Sequence, residues 1–175
     1  GATKIELETV GDLMNIASGS FKATVNGIGA VEFPVIPLNE GEGIKFKKQV
    51  LEGTSSILFA AAVDEGRPIL TGILTEAKDK NLNLVATDGF RLAYRRIQLP
   101  NSASLKCLIP KRTLEEVLRV IQEEGVEEVG IYTSNSQNQV VFRIGNTTVS
   151  SSLIEGQFQA WEKIIPTEIK SIAMV

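Results

Sequence analysis

The chain reads as an α+β protein built from a duplicated unit, and three observations lead there. Alternating apolar and polar residues, the mark of half-buried strands, run through most of its 175 residues, and 43% of those residues are apolar, enough for a real core. Two stretches instead repeat their apolar residues at helical spacing. Each of these follows one short strand and precedes three more, so strand-helix-three strands occurs twice at a period of about 62 residues, and a fixed period signals duplicated architecture. Two helices beside antiparallel strands are consistent with an α+β layer.

Residues 4–26 read as three short strands, IELETV, LMNIAS and SFKATV, with turns at Gly11-Asp12 and Gly19. A three-stranded meander has too little apolar surface to stand alone, so it must pack on something. Residues 27–37 lose periodicity and hold Gly27, Gly29, Pro34 and Pro37, the composition of a linker. IKFKK then runs from a strand into the first helix, where Val50, Leu51, Thr54, Ile57, Leu58 and Ala61 share one face. Gly53 weakens that helix by about 1 kcal/mol relative to Ala, and Asp64-Glu65-Gly66 ends it.

Three strands follow, ILTGILTEA, LNLVATD and FRLAYRRIQL, separated by Lys78-Asp79-Lys80 and by an Asp88-Gly89 turn. Asp-Gly suits a type I′ turn, in which both central residues need positive φ. LKCLI opens the second unit. Pro110 can occupy the first turn of the second helix, where its missing N–H costs nothing. Leu114, Val117, Leu118 and Ile121 form that helix's apolar stripe, which ends at Gly125. EEVGIYTS, QVVFRIG and TTVSSSLI complete the unit. A longer period is present too, because FPVIPL at 33–38 is echoed by FQAWEKIIPT at 158–167, each after three strands. Residues 1–37 therefore read as the tail of one domain, 38–156 as a complete second domain, and 157–175 as the lead into a third.

Lys and Arg number 18 and Asp and Glu 21, a net charge of -3, which does not advertise nucleic-acid binding and does not exclude a positive face. There is no His, so the commonest general base and metal ligand is missing. Cys107 is the one cysteine; it points to a buried free thiol, a reducing compartment and hence a cytoplasmic protein. No apolar run approaches the roughly 18 residues that span a bilayer, and GATKIE at the start lacks a secretory pattern. The carboxylates fall in no acid/base or metal-ligand spacing, and VNGIGAVEF does not place its glycines between a strand and a helix. No cofactor, metal or catalytic residue is expected. The alternative of an enzyme using Asp88 and Arg91 beside a pocket has only their adjacency behind it.

VATDGFRLA, at 85–93, resembles the signature of the bacterial DNA polymerase III beta subunit, the sliding clamp family. LIPKRTLEEVLRVI resembles that family's proline-basic helix start. SSSLIEGQFQAWEKIIP and FKATVNGIGAVEFPVIP resemble its two interdomain linkers, so the resemblance covers nearly the whole chain. It implies the DNA clamp fold, with the duplicated unit in pseudo-twofold symmetry and its two helices packed on antiparallel sheet. The chain would be a fragment: the end of domain one, all of domain two and the linker to domain three. The parent would be a non-catalytic processivity subunit, a homodimer ring around double-stranded DNA. Its partners would be the catalytic subunit of DNA polymerase III, the clamp loader and repair polymerases, all held through short linear motifs.

Two sets of residues then become candidates. Lys47 and Lys48 at the start of the first helix, Lys111 and Arg112 at the start of the second, Arg67 in the loop after the first and Arg119 along the second could make weak, sequence-independent phosphate contacts. The resemblance supports Arg67, Lys111 and Arg112 in particular. The plain alternative is a solvated helix surface. Pro68 and Ile69 depart from the aromatic pair that some members carry beside this arginine. Leu70, Thr87, Gly89, Phe90, Arg91 and Leu92 match the wall of the family's peptide pocket, and Lys163 and Ile164 match its linker side. Without the family, Leu70 and Leu92 would read as strand core. Phe90 stands where His is commoner, Lys163 for Arg, and Gln159-Ala160-Trp161 for Pro-Asp-Tyr. The rival reading is a free-standing peptide-binding module that never encircles DNA.

Overall fold

A computed structural model of the chain describes residues 4–32, 43–64, 66–134 and 138–166. The chain divides into two compact units, Gly1–Ile36 and Pro37–Val175. In the first, β1 (Glu6–Val10), β2 (Leu13–Ser18) and β3 (Phe21–Asn26) form an antiparallel meander in the order β1-β2-β3. Both of its tight turns place a glycine in the left-handed region, Gly11 at φ 58° and Gly19 at φ 62°. Leu7, Val10, Phe21 and Val25 remain exposed on these strands, as expected of a meander too small to cover its own apolar face. Part of the expected linker, at 33–37, lies outside the described residues, as does the end of the chain from 167.

The second unit carries two helices on antiparallel sheet, an α+β layer. Its elements are β4 (Ile44–Lys47), α1 (Lys48–Glu52), β5 (Gly72–Thr87), β6 (Leu92–Pro110), α2 (Lys111–Glu124), β7 (Glu128–Ser134), β8 (Gln139–Ile144) and β9 (Thr147–Ser152). One sheet has the order β4-β7-β8-β9, and β5 pairs with β6 in the other. The two repeats exchange their first strands. Phe46 of the first repeat faces Val129 of the second, while Ile109, which opens the second, faces Ile73 of the first. Neither repeat can complete its sheet alone, so the duplicated sequence makes one core rather than two. Phe46, Leu51, Ile73, Leu84, Val117, Ile121, Val140 and Phe142 all contribute to that core.

Several local expectations change. The stretches read as three strands after the first helix are drawn into two long elements, β5 and β6, with LKCLI continuous with β6. Lys78-Asp79-Lys80 separates the arms of β5 by a break in register instead of a loop: Asp79 faces Ala103, Asn81 faces Gln98, and Asp79 takes φ 52°. The first helix is α-helical only to Glu52. From Gly53 it tightens into 3-10 turns at Gly53–Ser56 and Leu58–Ala60. The Arg95 side chain crosses the chain at this point. A Cβ on Gly53 would lie 2.8 Å from Nε of Arg95, and Arg95 donates to Ser56 Oγ at 3.1 Å. In α2 the buried face is Leu114, Val117, Val120 and Ile121, with Leu118 only half-buried. Pro110 sits just before that helix as its N-cap rather than inside it, and Gly125 ends it at φ 63°, donating to Ile121 O at 3.1 Å.

Candidate functional site

The loop between β5 and β6 is four residues long, since Thr87 pairs with Leu92 across it. That length rules out the expected two-residue type I′ turn. Gly89 alone in the loop has positive φ, at 93°, and Asp88 does not. Asp88 instead shapes the loop with its carboxylate. Phe90 N and Arg91 N both donate to its Oδ1, at 2.9 and 3.0 Å, and Arg91 Nε donates to Oδ2 at 2.9 Å. These backbone donors, with the Arg91 guanidinium, hold the Asp88 carboxyl below the usual carboxylate range. The second fastening is Thr87, which is buried. Its hydroxyl donates to Arg91 O at 2.8 Å and accepts from Gly89 N at 3.1 Å. Thr87 therefore acts on the loop's shape rather than as a contact surface.

Around this loop the structure gathers most of the residues proposed for peptide docking. A Cβ on Gly89 would lie 3.1 Å from Nη1 of Arg67 and 4.0 Å from Cδ1 of Leu70, so both side chains lie against the glycine. Ala62 N donates to Leu70 O at 2.9 Å, which ties down the segment leading to Arg67. Leu92 begins β6 half-buried beside a small apolar cluster of Leu74, Val85, Leu108 and Trp161. Trp161, in a 3-10 turn at Trp161–Lys163, stacks on Tyr94 with ring centroids 4.6 Å apart. It anchors the linker end that bears Lys163 and Ile164, both exposed. Ile154 N donates to Leu108 O at 2.9 Å, and a Cβ on Gly72 would lie 2.8 Å from Ile154 Cδ1, so the linker runs close over the sheet. A cleft of about 800 Å³ is lined by Trp161 and, among others, by Leu74, Lys106, Leu108, Asn138 and Ile154. None of the docking candidates lines it.

The basic candidates are less free than the sequence suggests. Lys48 Nζ lies 2.6 Å from Glu127 Oε1, and Lys111 Nζ lies 3.7 Å from Glu115 Oε1. Arg119 is clasped by both Glu116 and Glu123. These pairings push Lys48 and Arg119 up and Glu116 and Glu127 down from their ordinary pKa values. Lys47 and Arg112 are exposed, with no carboxylate of a described residue at ion-pair distance. Arg67, grouped with the phosphate contacts in the sequence, lies beside the β5–β6 loop. Among the described residues no cluster of acidic or Cys side chains could hold a metal, and no helix is long and apolar enough to cross a membrane. The sequence reading missed Phe59, whose ring lies 5.4 Å under the Arg91 guanidinium. Its only signal was the length of ILFAAAV, an apolar run that a single buried face cannot take up whole.

Comparison with known proteins bears on what this arrangement serves. The family described as DNA polymerase III beta subunit, central domain, matches residues 45–160. The beta sliding clamp of Staphylococcus epidermidis is 30% identical over 154 residues, covering 86% of this chain and 40% of its own length. That of Synechococcus elongatus is 32% identical over 163 residues, covering 89% and 42%. The crystal structure of the DNA polymerase sliding clamp from Bacillus subtilis is similar with a TM-score of 0.78 at 30% identity, over 94% of this chain and 44% of that one. A sliding clamp from Bartonella birtlesii, bound to griselimycin, has a TM-score of 0.78 at 26% identity, over 93% and 45%. The chain thus spans about 40% of the length of the curated relatives it matches.

Proposed function

The chain belongs to the DNA polymerase III beta subunit family and carries its central domain, and from that premise we propose that it serves as part of a sliding clamp. In this reading a closed homodimer ring encircles duplex DNA and holds its partners by topology, with no chemistry of its own and no cofactor. Residues 1–37 are the end of the first clamp domain, 38–156 the second and 157–175 the passage to a third. Partners dock through short extended motifs on the wall formed by Leu70, Gly89, Phe90, Arg91 and Leu92, with Lys163 and Ile164 across from it. The catalytic subunit of DNA polymerase III, the clamp loader and repair polymerases are the partners the reading implies, in the cytoplasm.

The observation that carries the docking role is the fastening of the loop at 87–92. Five hydrogen bonds from Thr87 and Asp88 chemistry preset it, and a preformed wall loses little entropy when a peptide lands on it. Phosphate contact rests on Lys47 and Arg112 first, then on Lys48, Lys111, Arg119 and Arg67. The ion pairs on Lys48, Lys111 and Arg119 favour the rival, a peptide-binding module without a DNA role, to the extent that they mute the helix starts. The test is an amide-shift titration of labelled protein with a QLxLF-type peptide, beside a Leu92→Asp control. Shifts confined to Leu70, residues 87–92 and Ile164, and lost in the control, are expected. Folded protein without shifts at millimolar peptide overturns the docking role.

A further inference from the structure

The stretch that leads to Lys163 and Ile164 is held at two points, and both lie on segments that bear the docking wall. The first is Gly156, at φ 129°. A Cβ there would lie 2.7 Å from Cδ1 of Ile69, the residue next to Leu70 of the wall, so Ile69 occupies the place of a side chain. The second is Trp161, only 6% exposed, whose ring meets that of Tyr94 with centroids 4.6 Å apart and planes tilted by 32°. Tyr94 stands two residues beyond Leu92 on β6 and therefore on the same face of the strand. Ile69, Leu92 and Tyr94 all pack on the small cluster that contains Trp161. Past this second point the chain turns tightly. Lys163 N donates to Ala160 O at 3.1 Å and Ile164 N to Trp161 O at 3.0 Å, so the seat of Trp161 decides where Lys163 and Ile164 stand.

Tyr94 is fixed in its turn. Its hydroxyl donates to Asn83 Oδ1 at 3.0 Å and accepts from Arg96 Nε at 2.8 Å, which fills both of its hydrogen-bonding roles. Asn83 and Arg96 are directly opposite each other across β5 and β6. Burial alone would be served by any large apolar residue at 94. A hydroxyl pinned by two polar partners also sets the direction in which the ring presents its face to Trp161.

We propose that Tyr94 is a positioning residue for the docking site: fixed by Asn83 and Arg96, its ring seats Trp161 and so places Lys163 and Ile164 relative to the wall residues Leu70 and Leu92. A docked peptide meets both sides of the site only while Trp161 keeps that seat. This rests on the docking role proposed above and names what holds the two sides of that site in register.

Trp161 is the single tryptophan of the chain, so its emission reports its seat directly. The test measures binding of labelled Gln-Leu-Ala-Leu-Phe to the full chain by fluorescence anisotropy, beside Trp161 emission, in the parent, Tyr94→Leu, Ile164→Ala and the double variant. Tyr94→Leu is expected to weaken binding about tenfold, the scale of one aromatic pair, and Ile164→Ala about fivefold. The double variant should bind about as weakly as Tyr94→Leu alone, because an unseated linker no longer places Ile164 against the peptide. Emission should move to the red in Tyr94→Leu and stay parental in Ile164→Ala. Tyr94→Phe keeps the ring and should restore parental emission and most of the affinity. Should Tyr94→Leu unfold, Arg96→Gln at an exposed position carries the same cycle, with a loss of about threefold in the parent and a smaller one beside Ile164→Ala. Losses that multiply, or parental affinity or unshifted emission in Tyr94→Leu, overturn the proposal while the peptide still binds the parent. A parent that does not bind the peptide overturns the docking role itself.

Discussion

Asp88 does more for the loop at 87–92 than an Asp-Gly pair would suggest, because its carboxylate takes two backbone N–H groups and a guanidinium at once. Those donors favour the charged form and depress its pKa. A depressed carboxyl contributes stability that is present above its unfolded value, about 3.9, and is lost as pH falls through the lower folded value. Any titration of the Phe90 and Arg91 amide resonances is therefore expected to be centred below the unperturbed value of about 3.9; movement centred near pH 5 would contradict this. Asp88→Ala should speed hydrogen exchange at those two amides and weaken peptide binding several-fold. Cys107 makes the opposite case. Burial pushes its thiol up to about 12, and the thiolate is the reactive form. Ellman's reagent at pH 8 should leave the native protein unlabelled and label it fully in denaturant. The residue chemistry of Cys107 was legible from one cysteine in an apolar run, whereas the loop was read wrongly. Asp and Gly fit a two-residue turn equally well, and only the pairing of Thr87 with Leu92 decides its length.

Among the elements, α2 followed its sequence closely and the first helix did not. The stripe in α2 predicted Leu114, Val117, Leu118 and Ile121 in the core, where all but the half-buried Leu118 lie, and Gly125 as the stop, because both signals are local to the helix. The first helix carried an equally clear stripe, but it continues as 3-10 turns from Gly53, where Arg95, forty-odd positions away, crosses it. The exchange of β4 and the end of β6 between repeats was invisible for the same reason, since pairing partners from different repeats leave no trace in local periodicity. Gly125 offers a clean measurement. A Cβ there would meet nothing within 4 Å, so a substitution tests backbone conformation alone. At φ 63°, Gly125→Ala should destabilise the second unit by about 1 kcal/mol, with Gly125→Asn costing less. Equal urea midpoints for the three proteins would mean that the helix end relaxes out of the left-handed cap.

At the scale of the whole molecule the docking residues came from distant stretches and were joined only by resemblance; the structure sets Leu70 against Gly89, in the loop that Asp88 and Arg91 fasten, and brings Arg67 of the basic set beside them. The basic set had that warrant only for Arg67, Lys111 and Arg112, and three of its six charges are answered in place. Duplex binding by this chain should follow those pairings. Each phosphate neutralised by a cation contributes about -0.9 to the slope of log K against log salt concentration. Lys48, Lys111 and Arg119 already hold carboxylates, so Lys47, Arg112 and Arg67 set the limit, and the slope should be no steeper than roughly -3 on that same scale. Removing both carboxylates that clasp Arg119, by Glu116→Gln with Glu123→Gln, should tighten binding and steepen the slope by about one cation's worth. That change needs Arg119 to point at DNA once released. An unchanged slope in the double variant would take Arg119 off the phosphate-contact surface. A parent slope near roughly -5 would mean that the ion pairs open on contact and that all six cations reach phosphate. The surface at the helix starts would then be a DNA face after all, with the carboxylates as its counterions in the free protein.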